Sequence, residues 1–197
     1  MSELIWVLER ATGITALVLL VTSTVWGLLL STRVLGPRVR TRDLLADHRF
    51  LSLLAVVFTG VHVLGAVVQE HVDIGLIGTL VPFASGWEPF AMALGTLAAY
   101  LLVTVYLTSI WRGRVGPRTW RAFHYAGFAL FWVAALHTLL SGTDATTPWL
   151  RWGVVGSMIV VTGLVLARVS VSVPRGRPAD SPSLASSPRP QVPERPL

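Results

Sequence analysis

The chain has 197 residues, 53% of them hydrophobic and only 13% charged, with a mean hydropathy of +0.65. That balance excludes a soluble domain with a solvated shell and predicts an all-α membrane protein. Cysteine is absent, which excludes disulfides, thiolate haem ligation, iron–sulfur clusters and thiol redox chemistry on this chain.

Five apolar segments, roughly 4–31, 43–69, 87–111, 119–141 and 149–170, each exceed the ~20 residues that a spanning helix needs. Met1-Ser2-Glu3 lacks a basic leader and the first apolar run is too long for a secretory signal, so the first segment is expected to be a retained span. A basic link with Arg33, Arg38, Arg40 and Arg42 precedes the second span. Residues 73–86, moderately apolar and holding Pro82, are too short to cross and are expected to form an interfacial or re-entrant piece. Arg112, Arg114, Arg118 and Arg121 join spans three and four, and Arg168, Arg175 and Arg177 follow span five. Residues 174–197, rich in Pro, Ser and Arg, are expected to be a disordered tail, which divides the chain into a transmembrane domain over 1–172 and a tail over 173–197.

The formal charge of +6 is carried by arginine alone among the basic residues, a usage that hints at a GC-rich bacterial genome. Its distribution is a topology signal. Only Arg10 and Arg151 fall on the side opposite the basic links, against Glu3, Glu9, Glu70, Asp73, Glu88 and Asp144. The positive-inside rule then puts the N-terminus outside and the C-terminus in the cytoplasm of a bacterial plasma membrane, with no nucleic-acid partner expected. Trp6, Trp87, Trp149 and Trp152 fall at the outer boundary and Trp111 and Trp120 at the inner one, as an aromatic belt requires. Trp26 and Trp132 lie deeper and read as packing residues.

Four histidines stand inside two spans, as His48-x13-His62 in the second and His124-x12-His137 in the fourth. Ionisable groups are costly in a bilayer and those that persist usually serve transport, proton relay or cofactor binding. Both spans run from cytoplasm to outside, so His48 and His124 share an inner level. His62 and His137 share an outer one, roughly 20 Å away at 1.5 Å per residue. Each cross-helix pair offers both axial positions of one haem, which leaves no coordination site for a small molecule and favours electron transfer. A step of fourteen residues returns His62 to within about 40° of His48, whereas thirteen leaves His137 roughly 140° from His124. The fourth helix is therefore expected either to distort or to hold its two haems on different sides. Gly60, Gly65, Ala126 and Gly127 are small enough for close macrocycle approach, or for helix packing. Arg10, Arg49 and Arg121 are candidates to pair with haem propionates, with snorkelling to lipid head groups as the alternative. His71, in the outer loop, reads as a solvated side chain. Three other accounts stay open: hydrogen-bonded core histidines, a histidine-lined haem or metal permease, and a structural anchor subunit of a redox complex. Against a permease, the deep parts of the spans hold no Asp or Glu.

The paired histidines with their unequal spacing resemble the ferric reductase-like transmembrane domain family, which includes the haem domains of NADPH oxidases and ferric-chelate reductases and the membrane subunit of a bacterial methionine sulfoxide reductase system. Arg10-Ala11-Thr12-Gly13, Val81-Pro82-Phe83 and Arg118-Thr119-Trp120-Arg121 add to the likeness, which covers about residues 4–170. The resemblance implies that His48, His62, His124 and His137 are the axial ligands of two b-type haems. Many members have six spans, and five are counted here. The flavin- and NAD(P)H-binding domains of the oxidases and reductases find no counterpart: no Gly-rich dinucleotide fingerprint follows span five. No flavin or NAD(P) is thus expected on this chain. Electrons are expected to come from a separate flavoprotein or a membrane quinone and to pass to an extracytoplasmic acceptor such as a flavin-carrying protein or ferric iron.

Overall fold

A computed structural model describes residues 2–32, 41–69, 72, 74–141 and 147–172, and every element in it is helical. The order is α1 (Ser2–Thr32), α2 (Thr41–Val68), α3 (Gly75–Leu80), α4 (Pro89–Ile110), α5 (Arg112–Val115), α6 (Pro117–Ser141) and α7 (Pro148–Ser172). Five of these are long and apolar enough to cross a membrane: Glu3–Ser31, Thr41–Val68, Pro89–Ile110, Pro117–Ser141 and Pro148–Ser170. The expected spans are therefore present to within a few residues, and the protein is a multi-pass membrane protein. The tail from residue 173 and His71 lie outside the described residues.

Local chemistry explains the helix boundaries. Pro89, Pro117 and Pro148 open α4, α6 and α7, where a missing N–H costs nothing because the first helical donors have no partner in the helix. Gly116 sits at φ +79, a conformation glycine adopts freely, and it turns the chain between the single turn of α5 and α6. Hydroxyls inside the spans fold back on their own helix. Thr15 bonds the carbonyl of Ala11 at 2.8 Å, Thr22 that of Val18 at 2.7 Å and Thr104 that of Tyr100 at 2.7 Å, so none needs water.

Four helices form a ring. α1 packs along α2, α2 touches α4, α4 packs along α6, and α6 returns to α1. Across the diagonals, α2 and α6 nowhere approach within 8 Å Cα to Cα, and neither do α1 and α4. α7 lies outside the ring against α1 and α6. The packing centre is on α6: Phe131 is fully buried with Leu28 of α1 and Val161 of α7, and Ala135 with Leu17, Leu150 and Val154. Leu130 closes the other side against Ala98 and Leu102 of α4. Small side chains on this seam allow the close backbone approach on which helix association in lipid depends. Large apolar groups such as Ile159, Val160 and Leu166 on α7 point outward, where lipid rather than water is their solvent.

The short piece between the second and third spans is α3 with the turn after it. It docks on the start of α4, where the Thr96 hydroxyl donates to the Thr79 carbonyl at 2.8 Å and the Tyr100 hydroxyl to that of Leu80. Phe83, in the turn, sits at φ +67.

Candidate functional site

The two helices that carry the paired histidines, α2 and α6, occupy one diagonal of the ring. Their side chains meet across the gap. The His48 and His124 rings lie 6.1 Å apart, centroid to centroid, at an interplanar angle of 83°, and those of His62 and His137 lie 6.4 Å apart at 67°. These are the two pairs expected from the direction of the spans. A ring nitrogen lies about 1.2 Å from its centroid and a metal–imidazole bond is about 2.0–2.1 Å, so two imidazoles on opposite sides of one metal ion would have centroids about 6.4–6.6 Å apart. Both pairs agree with that span to within a few tenths of an ångström.

Three of the four rings are held by a backbone carbonyl. His62 Nδ1 lies 2.9 Å from the Glu9 carbonyl, His48 Nδ1 lies 3.0 Å from that of Ser23, and His137 Nδ1 lies 2.8 Å from that of Ala91. A carbonyl oxygen only accepts, so each Nδ1 carries the proton and donates. Each Nε2 is then the lone-pair nitrogen, the form in which a neutral imidazole binds a metal.

A glycine stands four residues after each of these acceptors. A Cβ at Gly13 would come 2.8 Å from the His62 ring, at Gly95 2.7 Å from that of His137, and at Gly27 3.4 Å from that of His48. The unit is an acceptor carbonyl followed, one turn later, by room for the ring. Glu9/Gly13 and Ser23/Gly27 are fourteen residues apart on α1, the same step that separates His48 and His62 on the antiparallel α2.

The fourth ring departs from this pattern. At the matching level of α4 stand Thr104, Val105, Thr108 and Ser109, with no glycine. Hydroxyls fold back onto the carbonyls there, Thr108 donating to that of Thr104 at 2.7 Å and Ser109 to that of Val105 at 2.7 Å. His124 Nδ1 is buried with no hydrogen-bond partner, and its ring stacks on Trp120 one turn earlier, 5.0 Å away at 24°. Trp120 in turn directs its indole N–H to the Ser109 hydroxyl at 3.4 Å.

α6 runs without interruption over its 25 residues, so no break in the helix absorbs the 13-residue step. Instead the two rings take different directions: His137 leans onto α4 at Gly95 and His124 leans back along its own helix.

The glycines that give the histidine rings room are not their neighbours in sequence. Gly60 and Gly127 have nothing within 4 Å of a Cβ position, and Gly65 meets Glu9 instead. Neighbours in sequence leave a helix in other directions, whereas the glycines that matter sit on the facing helices α1 and α4. Sequence reasoning also missed Glu9, whose Oε1 lies 3.1 Å from His62 Nδ1 with 17% of its side chain exposed. It was legible only as a charge near the start of a span.

A cavity beside the His62–His137 pair is lined by these two residues with Trp6, Glu9, Arg10 and Trp87. The Arg10 guanidinium lies over the Trp6 ring, 4.1 Å from its centroid. Arg49 and Arg121 are exposed, close in sequence to His48 and His124 respectively. Trp132 is 37% exposed and meets Phe131 edge to face, as a packing residue would. Among the described residues, no three His, Asp or Glu gather as a protein-only metal site. Each level offers two imidazoles, the number needed by an iron whose other four ligands come from a macrocycle.

Comparison with curated proteins and with solved structures gives no match. A family model does match, over residues 12–136, which takes in His48, His62 and His124 and stops one residue short of His137. That stretch is more than half of the chain, and the protein belongs to the family of ferric reductase like transmembrane components.

Proposed function

We propose that this chain is a diheme b-type membrane cytochrome that carries electrons one at a time across the membrane. The family is one of membrane electron-transfer components that generally bind haem and work with redox partners. The observation that carries the diheme reading is the pairing itself: imidazoles 6.1 and 6.4 Å apart, reaching across helices that do not touch. His48 with His124 would hold the inner haem and His62 with His137 the outer one. Bound haem supplies an iron that exchanges single electrons between ferric and ferrous states.

The chain's own residues do the rest. Carbonyls of Glu9, Ser23 and Ala91 fix the tautomer and direction of three rings, which limits rearrangement when charge changes. Gly13, Gly27 and Gly95 give those rings room beside the helix backbones. A haem held by two imidazoles at each level would have no open coordination position, a donor set suited to passing electrons rather than to activating a substrate at the metal. Arg10, in the outer cavity, and Arg49 and Arg121, beside the inner pair, are the cations suited to haem propionates.

Orientation follows from arginine placement, with the N-terminus outside and the C-terminus cytoplasmic, in a bacterial plasma membrane. The donor is a separate flavoprotein or a membrane quinol, and the acceptor lies on the outer side, ferric iron among the candidates. The direct test is the reduced-minus-oxidised spectrum of purified protein. A b-type difference spectrum supports the reading, and its absence from protein expressed with sufficient haem refutes it.

A further inference from the structure

The two levels differ in the groups that face the Nδ1 atoms of their α2 histidines. His62 Nδ1 faces two oxygens of one residue, the Glu9 carbonyl at 2.9 Å and Glu9 Oε1 at 3.1 Å. At the inner level, His48 Nδ1 faces only neutral groups, the Ser23 carbonyl at 3.0 Å and the Ser23 hydroxyl at 3.2 Å. Glu9 and Ser23 occupy equivalent turns of α1, so a carboxylate stands at one level where a hydroxyl stands at the other. His137, across from His62, adds the Ala91 carbonyl and the Ser141 hydroxyl, while His124, across from His48, has no Nδ1 partner at all.

The position of Glu9 is built. A Cβ at Gly65 of α2 would lie 2.8 Å from Glu9 Cβ, and one at Gly13 would lie 2.8 Å from the His62 ring. Both glycines let α1 and α2 approach closely enough for the carboxylate to reach the imidazole. Carboxylates inside a span are rare because burying the charge is costly, and this one is mostly buried. Arg10, next in the chain, has its guanidinium over Trp6.

We propose that Glu9 is a positioning residue that makes the outer centre the lower-potential one of the two. This rests on the diheme reading above. A carboxylate that accepts the Nδ1 proton makes the imidazole a more basic ligand, and a more basic ligand stabilises ferric over ferrous iron. A negative charge beside the centre, in surroundings of low dielectric constant, also opposes the arrival of an electron. The two effects have the same sign. At the inner level neither operates, and the unpartnered His124 is the less basic ligand. The change being tuned is one electron at iron, Fe(III) to Fe(II), with no bond made or broken. The outer centre is then the stronger one-electron reductant, placed on the side of the acceptor. An interior-negative membrane potential drives electrons outward and assists the step from the inner centre to it.

The test is an equilibrium redox titration of the haem-loaded, detergent-purified protein, followed at the b-type absorbance. The wild type should titrate as two components. Glu9→Gln keeps the size and an acceptor oxygen but removes the charge, and it should raise the lower midpoint while leaving the upper one in place. Unchanged midpoints, or a shift confined to the upper component, would overturn the proposal. His48→Ala provides a second route that leaves Glu9 intact. The surviving outer centre should titrate with the lower of the two wild-type midpoints, and finding it at the upper one would overturn the proposal even if Glu9→Gln failed to load haem. Wild-type protein with no haem would instead remove the diheme reading itself.

Discussion

His62 and His137 stand 6.4 Å apart, ring to ring, on helices whose backbones never come within 8 Å of each other. Two side chains thus span a gap that the ring of helices α1, α2, α4 and α6 holds open. His48 and His124 repeat the arrangement at the other end of the same two helices.

If each pair holds one haem, the sites empty independently. His62→Ala or His137→Ala should lower the haem content of purified protein to about one half, with the inner centre retained, and His48→Ala should remove the other half. Pyridine haemochrome assay against protein concentration measures this. Retention of full haem in any of the three would contradict the ligand assignment.

Room at the facing helix is as necessary as the ligand. Gly95→Ala puts a methyl group 2.7 Å from His137 Cε1, where something must shift, at a cost of about 1–3 kcal/mol. Outer-haem affinity should fall by about 5- to 150-fold. Gly127→Ala, which meets nothing within 4 Å, is the control and should load normally. Haem titration into the two variants compares them directly.

The helices, their order and the pairing of histidines were legible in the sequence because each rests on a one-dimensional quantity: apolar run length, arginine position, residue count along a helix. The surroundings of the rings were not. An acceptor such as the Ala91 carbonyl carries no side-chain signal, and Gly95 gains meaning only once α4 lies against α6 in a particular register. For α1 against α2, the shared fourteen-residue step of Glu9/Gly13, Ser23/Gly27 and the histidines of α2 was the trace of the register in the sequence. Glu9 itself looked like an interfacial charge, and only the closeness of α1 and α2 at Gly65 brings it to His62.

Trp120 takes the place of the missing acceptor at His124 by stacking on the ring. An aromatic pair of this kind contributes about 0.5–1.5 kcal/mol. Trp120→Ala should therefore weaken inner-haem retention about 2- to 10-fold and leave the outer centre unaffected. Haem loss to a scavenging apoprotein, followed by absorbance, resolves two phases, of which only the inner one should accelerate.

Arginine placement makes a prediction independent of haem. A reporter active only in the cytoplasm should be active when fused after residue 172 or in the link between α1 and α2, and silent when fused at the N-terminus or between α6 and α7. The opposite pattern would invert the assignment of inner and outer levels.

The central claim, two haems held by two imidazole pairs, is tested most directly by the haem-to-protein ratio of the purified chain with low-temperature EPR of its oxidised form. The account predicts two b-type haems per chain, both low-spin with bis-imidazole signals. A ratio of one or none, or a high-spin centre with an open axial position, would contradict it.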